Sequence, residues 1–436
     1  MFAKAALNYP QQRSKEDLDK LAFYQNYYNP SQDTNDALSF FSSTVLAIES
    51  TKMEWNSGKS VTLLPLLRRF RSRKASESRD KVFAFLGLVN DWRSSEIRVD
   101  YNAGLEQLYL EAAVHIIKST RTLDGLAGTV SVSFSDSRPS ARSWVTKWNV
   151  ADPPLEMERL SRLELYKAAG NSPTYARLHE SYLLELKGYF LGRVKFVSHV
   201  APERGIERLR RTVSEWEERL RVQSSMSGYA SFSRYPSFMA TICADTLYVP
   251  RSGDADNLQP GHYQRAGQSA NDAFKAWMSD DRSKRNRYTT MYSDLIANAY
   301  EEPAEVTRLK NSYHYAAKSA VASRALFAFE FEDGSTDGST MFGIGPPNTV
   351  VGDKVFVALG SRVPFIVQRL RETHQCNHGI VEDLVPPQNG SESGVEDQLC
   401  SDIHKCHALV GDAFIHGVMD GEALSIPTQP ISIFLS

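Results

Sequence analysis

Cysteine is scarce: four in 436 residues are too few for a disulfide scaffold, and such usage suits a reducing compartment. Neither sign of charge dominates. Fifty Lys+Arg against 52 Asp+Glu give a formal net charge of −2, without the long-range positive field of a non-specific nucleic-acid binder. Long apolar runs are missing too, the longest being Val82–Val89 (VFAFLGLV), against the ~20 residues a membrane helix needs. No apolar core of signal-peptide length precedes Pro10, and Arg13 to Lys20 is densely charged. The expectation is a soluble, cytoplasmic protein with no membrane span. Catalytic signatures are also lacking: there is no Gly-x-Ser-x-Gly, no His-Glu-x-x-His and no kinase set. Asn56–Ser60 (NSGKS) resembles the end of a phosphate-binding loop, but Met53 stands where that loop needs glycine. Gly343–Gly345 (GIG) lacks the third glycine of a dinucleotide fingerprint and reads as a turn.

What is present is enough to build cores. The chain is 42% hydrophobic, with 19 Tyr, 21 Phe and 6 Trp, which excludes a disordered chain and fits two or three domains. From Ser14 to about Lys118 the pattern is helical. Leu105, Leu108, Tyr109, Ala112 and Ile116 fall on one face, with Asn102 as the expected N-cap, and Val82, Phe85, Leu86 and Val89 repeat the spacing over a shorter stretch. Ser181–Val200 reads as two strands with Lys187–Gly188 near the turn, Gly188 as a bulge being the alternative. Ile206, Leu209, Val213, Trp216 and Leu220 keep heptad spacing, so this helix packs on its own domain or pairs with another chain. Ser252–Asn271 is polar and Gly-rich, a long loop or linker, and a further helix is expected within Tyr288–Ser323. Short β-branched or aromatic runs then follow at Arg324–Phe331, Lys354–Leu359, Pro364–Leu370, Leu409–His416 and Ile431–Leu435.

Two clusters invite function. Arg68, Arg69, Arg71, Arg73, Lys74, Arg79 and Lys81 form a basic run, readable as a nuclear-localisation or phosphate-binding patch or, more plainly, as a solvated helix end. His374, Cys376, His378, Cys400, His404, Cys406 and His407 offer the ligand types zinc prefers; Cys376 or His378 with Cys400 and His404 or Cys406 would be the set. Their spacing is not that of a standard zinc site, and a Cys/His-rich surface loop is the preferred reading, so no metal or cofactor is assigned.

Three stretches resemble the fungal heterokaryon-incompatibility (HET domain) proteins. Leu66–Asp91, with Val99–Tyr101 after it, is similar to the segment that closes the HET domain around "DPRDKVYALLGL", through Arg79, Asp80, Lys81, Val82, Ala84, Leu86, Gly87 and Leu88. Ser143–Trp148 (SWVTKW) resembles the family's "SWVPDW" step, with Trp144 and Trp148 in place, and the Tyr166–Gly170 and Leu184–Gly188 steps follow in similar order. Gly343–Pro346, Gly352–Val357, Gly360–Phe365 and Leu409–Leu424 (LVGDAFIHGVMDGEAL) are similar to the C-terminal region, including Gly352, Asp353, His416, Asp420 and Glu422. The family's opening "LSYVWG"-like strand and "WIDAICINQ"-like segment do not occur in this sequence.

The resemblance implies an α+β protein in three parts. Residues 1–125 would be the C-terminal part of a HET-like domain, mainly helical and the remnant of a TIR-like α/β domain. Residues 126–320 would be a mixed α/β middle with a linker near 252–271, and residues 321–436 a β-rich C-terminal module with a variable loop at 376–405. Apolar faces in residues 1–120 would then lack part of their cover. The implied function is non-self recognition or regulation of a programmed cell-death response, without catalysis of its own and through protein partners. The rivals are a TIR-like nucleotide-hydrolysing enzyme whose opening half is missing, and an accessory or remnant protein of a biosynthetic gene cluster. Arg79 and Asp80 are expected to cap and pair at a helix start, Gly411, Gly417 and Gly421 to need positive φ, and His416 to be a satisfied core histidine.

Overall fold

A computed structural model describes residues 45, 47–58, 60–89, 97–128, 142–150, 155–180, 182–226, 235–250, 261–279, 304–331, 340–375, 381–385, 403–425 and 429–436. The architecture is mixed helix and strand around one large sheet, as the α+β expectation required. Helices α1 (Leu63–Phe70), α2 (Asp80–Leu86) and α3 (Leu105–Thr120) precede the sheet. The apolar periodicity decides which faces they bury: Leu63, Leu64, Leu66 and Leu67 of α1, Val82 and Leu86 of α2, and Leu108, Tyr109, Ala112 and Ile116 of α3 all enter the main core. The faces of these three helices are therefore covered, whereas Ile48, Met53 and Trp55 just upstream are exposed. Gly104 rather than Asn102 caps α3, because Asp100 Oδ1 accepts the Asn102 N–H at 2.8 Å and holds that residue in the preceding turn.

The sheet is built on one strand. β1 (Ala176–His179) leads to β2 (Leu183–Val200), 18 residues without a break, where two strands and a turn were expected. Gly188 is the reason for the misreading. It faces Ile431 on one side and Ala358 on the other, the point where β2 passes from one set of neighbours to the next. An added Cβ would lie 2.1 Å from Val357 O and 2.8 Å from Ala358 Cα. Glycine here permits close approach of strands rather than a turn. Gly188→Ala is expected to lower the unfolding free energy by ~1–3 kcal/mol through overpacking, measured by urea denaturation.

The remaining strands are β3 (Thr246–Val249), β4 (His262–Arg265), β5 (Ala325–Phe331), β6 (Thr340–Gly345), β7 (Lys354–Ala358), β8 (Phe365–Gln375), β9 (Val381–Asp383), β10 (Ile403–Asp412), β11 (Phe414–Ile415) and β12 (Ile431–Leu435). β2 pairs with β12, β12 with β10, β10 with β8, β8 with β7, and β7 returns to β2, so five strands close into a ring. The far end of β2 continues into β5, β6 and β11. The glycines of Gly343–Gly345 are thus part of a strand, not a turn: a Cβ on Gly343 would sit 2.5 Å from Phe414 O of the neighbouring strand. Inside the expected variable loop at 376–405 lie β9 and the start of β10.

Among the described residues, five further helices pack beside the sheet: α4 (Glu156–Leu160), α5 (Ile206–Met226), α6 (Tyr235–Ile242), α7 (Ser269–Ser279) and α8 (Ala304–Val321). In the α5 seam, Leu209, Val213, Trp216 and Leu220 are all buried in this chain's own core, so no face remains there for pairing with a second chain; Ile206 alone stays exposed. The expected linker near 252–271 is structured from residue 261 onward, as β4 and the first turn of α7, and its 252–260 part lies outside the described residues, as do residues 288–303 of the expected Tyr288–Ser323 helix. No described helix is long and apolar enough to cross a membrane.

Candidate functional site

The expected site residues do not converge. Arg79 occupies the N-cap of α2 without a side-chain cap; it pairs instead with Glu77 at 2.8 Å and donates to Ala103 O at 2.9 Å. Asp80 caps nothing and accepts the Tyr101 hydroxyl at 2.8 Å. Trp144 is fully buried with its indole N–H on Tyr182 O at 3.2 Å, and Trp148 is buried with Arg71 stacked 5.3 Å from its ring. Gly352 (φ +102°) donates its N–H to Val194 O, and Asp353 sits buried in the same turn. Gly411, Gly417 and Gly421 do take positive φ, with a β-bulge at Gly411. His416, expected in the core, lies half-buried in the turn after β11. Asp420 is exposed, its N–H bonded to Glu422 Oε2 at 2.7 Å and its carboxylate to Arg265 at 2.5 Å.

The basic run is largely used internally. Arg69 makes a two-pronged pair with Glu54 at 2.8 and 3.0 Å, Arg71 donates to Val150 O and Lys147 O, and Lys81 donates to Arg71 O and Arg73 O. Arg68 reaches Asp124 O and Ala127 O. As a phosphate-binding patch the run has few cations to offer. Of the proposed zinc set, Cys376, His378 and Cys400 lie outside the described residues. Cys406 is buried on β10 beside Leu183 and Phe434, and no group of three metal-ligating side chains occurs among the described residues. In backbone register, His404 of β10 is paired with His374 of β8.

The densest polar site is one the sequence reading missed. Asp412, ending β10, is buried beneath α4 and receives both prongs of Arg159, one at 3.1 Å. Gly128 N–H donates to its Oδ1 at 2.9 Å, and Arg324 Nη2 stands 3.6 Å from Oδ2 while also bonding the Asp412 carbonyl. Glu156 grips the other side of Arg159, its Oε2 taking the Nε–H at 2.9 Å. Burial alone would raise the Asp412 pKa, but Arg159, Arg324 and the Gly128 amide together hold it well below the usual carboxylate range. Burial likewise pushes Arg68 and Arg324 down to about 10, Asp124 opposing it at Arg68 and Asp412 at Arg324. Arg159, by contrast, is held charged by Asp412 and Glu156 against the cost of its burial. The signal was present in α4 and the turn after it, where Glu156, Arg159 and Arg162 recur every third residue along one face.

Beside this cluster lies a cavity of about 30 Å³, lined by Arg159, Arg162, Tyr166, Arg324 and Asp412 among apolar side chains. Tyr166 is committed to Ala244 O at 2.7 Å, and its hydroxyl is pushed up by burial. The nearby Cys243 thiol is raised to about 12 by burial and so is not a nucleophile at neutral pH. On β1 and β2, His179 and Glu185 pair at 2.8 Å, with Ser432 and Tyr175 also donating to Glu185. Burial opposes ionisation of Glu185, yet the His179 and Ser432 hydrogen bonds hold its pKa below normal. Ser432 bonds the carboxylate and not the imidazole, so this is an anchoring network rather than a nucleophile–base pair.

Asp353 gives a pH prediction. Its Oδ2 accepts the Val350 N–H at 2.9 Å, but burial dominates and lifts the carboxyl to about 6. An unfolded chain loses this proton near ~4. The group's contribution to stability is therefore complete below ~4 and is lost as pH rises through about 6. Asp353→Asn, neutral and able to accept the same N–H, is expected to match or exceed the parent's stability at pH 7.5 and to flatten its decline between pH 4 and 6.5, read from denaturation midpoints.

Compared with known proteins, the chain matches no family model, no curated protein and no solved structure.

Proposed function

We propose that the chain is a HET-related protein acting in fungal non-self recognition or in regulation of a cell-death response, as a binding and scaffolding component rather than a catalyst. One observation carries the reading: the stretches that resemble the family lie far apart in sequence but bond to one another. Ser143 of the SWVTKW step accepts the Leu409 N–H at 2.8 Å. The Tyr166–Gly170 step donates from Lys167 to Met419 O, from Ala168 to Arg362 O and from Ala169 to Ser361 O. Leu359, between the Gly352–Val357 and Gly360–Phe365 stretches, donates its N–H to Lys187 O on β2. A pattern whose parts serve one another's backbone is what a shared fold would leave in a sequence. Helices α1 to α3 would correspond to the closing helices of a TIR-like domain.

The reading is tested by expressing the protein in a filamentous fungus and scoring vital-dye uptake in fused cells. Death in particular strain pairings, lost in Trp144→Ala, is the expected result. Equal survival in all pairings at matched expression, or steady hydrolysis of nicotinamide dinucleotide by the purified chain, would overturn it.

A further inference from the structure

Arg162 follows α4 and is buried, 1% exposed, at the wall of the cavity beside Asp412. Only one of its three nitrogens is satisfied: Nη2 donates to Ala316 O at 2.9 Å and to Ser319 Oγ on α8. The guanidinium plane lies on Tyr263, 4.0 Å from the ring centroid. Nε and Nη1 are buried with no hydrogen-bond partner among the described residues. Leaving these two buried nitrogens, which carry three N–H donors of a charged side chain, without partners is costly, so a ligand is the economical explanation.

Charge points the same way. Around the cavity stand Arg159, Arg162 and Arg324, against Asp412 and Glu156, leaving one positive charge in excess within a poorly solvated space. The two carboxylates are already committed to Arg159 and Arg324. None is in contact with Arg162. The Arg324 pKa is lowered first by burial and then by the neighbouring Arg159 charge. A cavity of about 30 Å³ exceeds the roughly 10–15 Å³ one water requires and leaves no room for a nucleotide or peptide.

We propose that this cavity binds one small inorganic monoanion of chloride size, held by the free Nε and Nη1 of Arg162 and by the field of Arg159 and Arg324. The anion completes the charge balance of the core between α4, α8 and β10, so binding is linked to folding.

The test is thermal unfolding of the full chain in sodium chloride against sodium gluconate, at fixed pH and ionic strength. The expected result is a saturable rise of a few degrees with chloride, reproduced by bromide and absent with gluconate. Arg162→Met keeps the stem's packing and removes the donors, and its midpoint should be equal in the two salts. Chlorine-35 line broadening on adding wild-type protein gives a second readout should the variant fail to fold. Equal midpoints in chloride and gluconate, a linear rise that never saturates, no line broadening, or undiminished chloride dependence in Arg162→Met would each overturn the proposal.

Discussion

Asp412→Asn is expected to lower the unfolding free energy by about 3–5 kcal/mol at pH 7, because it leaves Arg159 and Arg324 buried beside a neutral side chain. The size follows from the asymmetry of buried ion pairs, in which removing one partner strands the other's charge. The double variant Arg159→Met with Asp412→Leu should therefore cost clearly less than the sum of the two single changes. The parent carries a matching pH signature. The Asp412 pKa is depressed in the folded state, so its contribution is present above ~4 and is lost as pH falls below that value toward the folded pKa. Asp412→Asn should lose that acid-side slope, while the opposite slope from Asp353 between about pH 4 and 6 persists. Denaturant midpoints of both variants across pH 2.5–7 check the two contributions separately.

Trp144→Ala is expected to cost ~3–5 kcal/mol, comparable to the Asp412 change and independent of pH. Trp144 is 0% exposed, and its indole N–H is fixed on Tyr182 O, the residue just before β2. Removing it opens a large void under the step where Ser143 ties β10 and the C-terminal Ser436 carbonyl together. Trp144→Phe fills most of the void but removes the indole hydrogen bond to Tyr182 O, so a smaller loss of about 1–3 kcal/mol is expected. Urea denaturation of the pair, followed by far-UV circular dichroism, separates packing from the hydrogen bond.

These two sites show what a sequence can and cannot disclose about this fold. Where burial is one-sided and local, the pattern sufficed: the α5 seam, the α3 face and β12 lie where the apolar periodicity puts them. Where strands are crowded on both edges, it misled. Gly188 and Gly343 look like turn residues because the sequence does not show the carbonyl of Val357 or Phe414 that excludes a side chain there. The Asp412 cluster was hidden for another reason. Only Glu156 and Arg159 are related by local spacing; Gly128, Arg324 and Asp412 come from distant segments that no local spacing relates to them. Arginines in the basic run looked available for a ligand, yet Arg68 and Arg71 are committed to backbone carbonyls of distant segments. Trp144, Trp148 and Asp353 were singled out through a resemblance, and the structure gives them packing and turn-forming work rather than a shared site.

The account rests on the resembling stretches forming one cooperative body clasped at Asp412, where a backbone amide of residue 128, Arg159 after the middle of the chain begins, and Arg324 converge. Native-state hydrogen exchange tests this most directly. Amides of Ile116 on α3, Leu409 on β10 and Ile433 on β12 should exchange with one common opening free energy, and Asp412→Asn should lower all three together. Loss of protection at Ile116 alone, with Leu409 and Ile433 unchanged, would contradict the account, because the N-terminal helices would then be a separate unit.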